Sequence, residues 1–150
     1  MTAARGYDPS AEEQRRWATA GWDENRIAQE VVDAAYTVHR ALGSGLLESV
    51  YEVTLAYELA SRGLDVSRQV SVPVRYRGIT LEDGFRLDLL VNNKVIVEIK
   101  SVEKTALVHK KQTLTYLRLA DKRLGLLINF SAPLLKDGIS RIANGMPEPR

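Results

Sequence analysis

Between Phe85 and Phe130 the chain passes through an order of patterns that few folds accommodate. Residues 85–91 and 94–101 are two strand-like runs separated by Asn92 and Asn93, which tolerate turn conformations, and together they describe a hairpin. A basic amphipathic segment follows from about Ala106 to Ala120. Then comes GLLINF, residues 125–130, apolar enough to be a buried strand. A strand that returns through a crossover helix joins its sheet parallel to the strand before that helix, by a right-handed connection. The hairpin requires antiparallel pairing and the crossover parallel pairing, so the expected fold is an α/β sandwich built on a mixed sheet.

Upstream, Ile27, Val31, Ala34, Ala35, Val38 and Leu42 recur at three- and four-residue spacing and predict an amphipathic helix over 24–42, ended by Gly43. After Gly43, Ser44 and Gly45, the residues Leu46, Val50, Val53, Leu55 and Leu59 describe a second helix, with Gly63 at its C-terminal cap. Val66, Val70, Val72, Val74 and Tyr76 then alternate with other residues, and Pro73 confines any ladder there to an edge or a break. The expected order is helix, helix, strand, strand, strand, helix, strand. Residues 1–22 carry little apolar pattern and are expected to form a flexible or partly helical arm, leaving 23–150 as a single domain. A chain of 150 residues buries roughly 68–70% of its unfolded surface in one core and is too short for two ordinary domains.

Composition narrows the function classes. With 45% hydrophobic and 27% charged residues the chain is globular, and with no cysteine it has no disulfide framework, thiolate metal site or cysteine nucleophile. The first twenty residues lack the apolar stretch of a signal peptide and no 18 apolar residues run together, so a cytoplasmic protein without a membrane partner is expected. The net charge of +2 says little, but Lys100, Lys104, Lys110, Lys111, Arg118, Lys122 and Arg123 stand against only Glu103 and Asp121 in one stretch. Such a run is either a solvated helix face or a phosphate-backbone footprint.

Three polar side chains stand where a simple core strand would not place them: Asp88, Glu98 and Lys100. Glu98 and Lys100 are two apart and project from one strand face, opposite Val97 and Ile99. Asp88 joins them only if the hairpin pairs it with Glu98. A two-residue turn at Asn92 and Asn93 would instead pair it with Val97, so the reading requires a three-residue loop or a bulge. Two converging carboxylates repel unless a cation lies between them, and oxygen ligands suit Mg²⁺ or Mn²⁺. Lys100 could then orient or deprotonate the attacking water and counter charge on a phosphate, which points to phosphodiester hydrolysis. The alternative is a ladder ion pair between Glu98 and Lys100 on an exposed strand.

An acid on one strand followed by Glu-x-Lys on the next, as in Asp88 and EIK at 98–100, resembles the signature of the PD-(D/E)XK nuclease superfamily. GLLESVY, residues 45–51, is similar to the motif of its GxxExxY group through Gly45, Glu48 and Tyr51. QTLTY, residues 112–116, resembles the Q-x-x-x-Y helix motif of several of its branches. From about Arg26 to Ile142 the order of elements is similar too. The resemblance implies a restriction-endonuclease-like core in which Asp88, Glu98 and the Ile99 carbonyl bind Mg²⁺ or Mn²⁺ and Lys100 assists the water. It also implies a further acid, Glu48, from the helix, and a catalytic helix face bearing Gln112 and Tyr116. One departure is Leu87, where the eponymous motif has Pro.

Each of these residues also has a plainer reading. Glu48 sits where a helix dipole favours an acid, Tyr51 can pack or bond Glu48, and Tyr116 can be core with its hydroxyl satisfied. His109 shares the stripe of Gln112, and His39 suits a helix C-terminus. Trp17 and Trp22 could cover an apolar patch or support a homodimer. The first expectation is a metal-dependent nuclease acting on DNA or RNA, with Lys104, Lys110, Lys111 and Arg118 contacting phosphates. Its rivals are a noncatalytic nucleic-acid-binding or regulatory module and a protein-interaction module.

Overall fold

The computed structural model describes residues 18–147, so Trp17 and most of the N-terminal arm lie outside the described residues. Helix α1 spans Glu24–Leu42. It starts at Asp23, whose side chain accepts the Arg26 N–H, and stops at Gly43, which takes φ 75°. Helix α2 spans Glu48–Ser61 and begins at Leu47 without a side-chain cap. The chain leaves it through Gly63 at φ 86°, as the C-terminal glycine predicts. Residues 19–22 are tied down: Thr19 donates to the Gly63 carbonyl and its own carbonyl accepts from Asn92, while Lys94 donates to the Trp22 carbonyl.

Five strands form one sheet in sequence order: β1 (Val66–Tyr76), β2 (Ile79–Val91), β3 (Val95–Lys100), β4 (Leu124–Asn129) and β5 (Ile139–Ala143). Between β3 and β4 runs α3, Leu107–Ala120, and those two strands pair in parallel, Val95 with Leu124 through Lys100 with Asn129. All other pairings are antiparallel, which gives the mixed sheet that the crossover predicts. Strand β1 is an edge, and its register shifts between Val72 and Val74, around Pro73. Gly84 sits across that irregularity, where an added Cβ would lie 2.3 Å from the Val74 side chain.

Strand β5 and the short 3₁₀ turn Leu135–Gly138 before it have no counterpart in the expected order. All five residues of β5 are half-buried, so no two-residue alternation announces the strand. Two layers of helix cover the sheet. On one face α1 and α2 bury Ile27, Val31, Leu55 and Leu59 against Leu89, Val97, Ile99, Leu126 and Ile128. On the other face α3 sets Leu117 against Leu87 and Ile96.

Candidate active site

The loop joining β2 to β3 has three residues, Asn92, Asn93 and Lys94, with both asparagines in the left-handed region at φ 52° and 55°. Val91 therefore faces Val95, Leu90 faces Ile96 and Leu89 faces Val97, the register that directs Asp88 toward Glu98. The regular ladder stops there. The next backbone donor, Ile99 N–H, is taken by the Asp88 side chain, whose Oδ2 accepts it at 2.8 Å.

Glu98 is 6% exposed, and its Oε1 is buried without a hydrogen-bond partner among the described residues. Burial, reinforced by the neighbouring Asp88 charge and opposed by Lys100, pushes its carboxyl up to about 9. Lys100 is half-buried, and none of the ion pairs among the described residues includes it. The ladder ion pair with Glu98 is therefore not formed.

A cavity of about 280 Å³ opens at Asp88, lined by Glu48, Ser49, Glu52, Gln69, Asp88 and Ile99; neither Glu98 nor Lys100 lines it. Glu48, exposed in the first turn of α2, thus reaches the same space as Asp88. Tyr51 does not bond it. Fully buried, Tyr51 stacks on Phe130 at 4.5 Å between centroids, donates its hydroxyl to the Gly43 carbonyl at 2.6 Å and accepts the Leu46 N–H at 3.2 Å. It fixes the loop from which α2 and Glu48 start. Glu52 and Gln69 escape the sequence reading. The position of Glu52, four residues past Glu48 on one helical face, is the only signal that could have found it.

From the opposite face α3 contributes Tyr116, stacked on Phe85 at 4.4 Å. Its phenol is raised above the ordinary range by burial and then by the charges of Glu98 and Asp88, so it stands within their field. Gln112, one turn earlier, is exposed and forms no hydrogen bond among the described residues. His109 accepts the Ala106 N–H through Nδ1 and so closes the start of α3, and His39 bonds the Ala132 carbonyl. Both histidines have structural roles. Lys104, Lys110, Lys111 and Arg118 are all exposed.

Compared with protein families, residues 25–142 match the PD-(D/E)XK nuclease superfamily. The chain belongs to that superfamily. No curated protein matches it, and no solved structure does. Membership accords with the mixed five-stranded sheet and flanking helices of a restriction-endonuclease-like fold. It implies nucleic-acid substrates, and PD-(D/E)XK nucleases generally use divalent metals. No described helix is long and apolar enough to cross a membrane.

The donors present fit a hard divalent cation of the kind this superfamily uses. Asp88 and Glu98 offer carboxylate oxygens, one of them buried and unpartnered, and the raised carboxyl of Glu98 reflects burial first and then the charge of Asp88, both of which a bound cation would offset. Among the described residues no three His, Asp or Glu side chains gather closely enough to hold a metal by themselves. Any such site would rest on two carboxylates and a backbone carbonyl.

Proposed function

We propose that this protein is a metal-dependent nuclease of the GxxExxY group that hydrolyses phosphodiester bonds of DNA or RNA. The observation that carries this reading is the bond from the Ile99 amide to Asp88. It brings a second carboxylate to a buried, unpartnered Glu98 at the point where the hairpin ladder ends. Asp88, Glu98 and the Ile99 carbonyl would hold Mg²⁺ or Mn²⁺, which supplies charge stabilisation for the phosphate under attack and makes water easier to deprotonate.

The chain's own residues do the rest. Lys100, on the Glu98 face of β3, orients the attacking water and opposes the negative charge that grows on the phosphate. Water's oxygen forms the new bond to phosphorus as one ester P–O bond breaks; the proton the water loses passes to solvent, and the leaving alkoxide takes up a proton from solvent. Tyr116, which senses both carboxylates, donates its hydroxyl toward the phosphate, and Glu48 closes the cavity from α2. The exposed cations Lys104, Lys110, Lys111 and Arg118 hold the nucleic-acid backbone without reading its sequence.

A cleavage screen over single- and double-stranded DNA and RNA in Mg²⁺ or Mn²⁺ tests the proposal. Cleavage is expected to be abolished by chelator and to fall by about 10²-fold or more in Glu98→Gln and in Lys100→Ala. Activity that survives both substitutions contradicts it. Nucleic-acid binding that persists in chelator without any cleavage would instead identify a noncatalytic binding module.

A further inference from the structure

In β1 and β2 the side-chain alternation slips by one position at the same place. Val66 packs with the core beneath α1 and α2, whereas Val70 and Val72 pack with the core beneath α3, although all three share one parity. Across the ladder Leu89 and Val91 lie in the first core, and Leu87 and Phe85 in the second. The register does not shift, since Arg68 faces Leu89 and Val70 faces Leu87. Gln69 and Asp88 are therefore the facing pair at which both strands turn over.

Gln69 takes up the turn. Its φ is 51°, in the left-handed region, where a residue with a side chain costs about 1–2 kcal/mol. Such a conformation persists only when its surroundings over-determine it. Here the surroundings are visible: Gln69 donates through Nε2 to Glu52 Oε1, and Arg68 holds Glu52 Oε2 at 3.0 Å. Glu52 is itself 6% exposed and held within the α2 packing, so a buried carboxylate anchors Gln69 and Arg68, which are exposed on the strand.

We propose that Gln69 is a positioning residue for Asp88. The left-handed backbone at Gln69, pinned by Glu52, turns Asp88 out of the regular ladder so that its carboxylate reaches the Ile99 amide beside Glu98. The consequence for metal binding rests on the nuclease reading above; the aim of Asp88 does not.

The test compares Gln69→Asn with Gln69→Val, because Asn adopts the left-handed region readily and β-branched Val does not. The first readout is hydrogen exchange of the Ile99 amide in metal-free protein, with the Leu126 and Ile128 amides of β4 as controls for the fold. Ile99 is expected to exchange about tenfold faster in Gln69→Val and to match wild type in Gln69→Asn, with both controls unchanged. Equal protection of Ile99 in Gln69→Val overturns the proposal. If Gln69→Val loses the controls as well, Gln69→Ala, which is less severely penalised, replaces it in the same comparison.

The second readout is calorimetric Mn²⁺ binding on the same proteins. About tenfold weaker binding in Gln69→Val, restored in Gln69→Asn, is expected. Unchanged affinity in Gln69→Val, where wild-type binding depends on Asp88, overturns the proposal. No binding to wild type would refute the metal reading alone and leave Ile99 exchange to decide the role of Gln69.

Discussion

Asp88 and Ile99 are joined by a side-chain-to-amide bond of 2.8 Å one step past the last regular pair of the hairpin, Leu89 with Val97. The carboxylate replaces the backbone acceptor that Ile99 would otherwise have used. The acid proposed to hold the metal thereby becomes part of the backbone hydrogen-bond accounting, and its removal has two separable effects. Asp88→Ala leaves the buried Ile99 N–H without an acceptor and should destabilise by about 1–3 kcal/mol, whereas Asp88→Asn retains an acceptor and should cost less. Chemical denaturation of the two variants checks the difference, and both should lose metal binding.

The raised carboxyl of Glu98 sets a pH dependence. Its value of about 9 in the folded protein lies above the 4.5 of the free side chain, so between those values the folded state holds a proton that the unfolded state has released. The stability associated with this group is fully present below pH 4.5 and is lost as pH rises through about 9. Metal-free wild type should therefore lose stability across that window, and Glu98→Gln should flatten the loss. Thermal melts at several pH values measure it.

The same proton must leave when a cation is bound through Glu98. Mn²⁺ affinity should therefore rise with pH below about 9, with proton release visible as a buffer-dependent binding enthalpy. Calorimetry in two buffers of different ionisation enthalpy checks this, and Glu98→Gln should remove the proton release.

Tyr51 ties Gly43 to Leu46 through one hydroxyl. Tyr51→Phe removes both bonds while keeping the stack on Phe130, and should cost about 0.5–1.5 kcal/mol, the net worth of a hydrogen bond whose backbone partners can turn to water. If that loop also places Glu48, cleavage should fall in proportion more than stability does. Denaturation curves and turnover measured side by side separate the two.

Exposed phosphate contacts predict a salt signature. Replacing Lys110, Lys111 or Arg118 with Ala should weaken nucleic-acid binding evenly across sequences and reduce the slope of log affinity against log salt by about one each. Fluorescence anisotropy at several salt concentrations measures that slope.

Most of the framework was legible because hydrophobic period and turn chemistry agree along the chain. The requirement that Asp88 face Glu98 predicted a three-residue loop or a bulge, and the left-handed pair Asn92 and Asn93 supplies the loop. Strand β5 was hidden because ISRIA is half-buried at every position. Glu52 and Gln69 were hidden for a different reason. A charged helix residue and a strand amide read as surface, and only the tertiary fold brings them together beside Asp88. Gln112 and Tyr116 share a helical stripe in sequence, yet Tyr116 is half-buried within the field of the two carboxylates while Gln112 is exposed and forms no hydrogen bond among the described residues. Side-chain reach, unlike helical spacing, cannot be read from periodicity.

Calorimetric titration of Mn²⁺ into wild type and Asp88→Ala tests the central claim most directly. Binding to wild type at a single site that disappears in Asp88→Ala is expected. Binding of equal strength to both proteins, or none to wild type even with nucleic acid present, would contradict a two-carboxylate metal centre at Asp88 and Glu98.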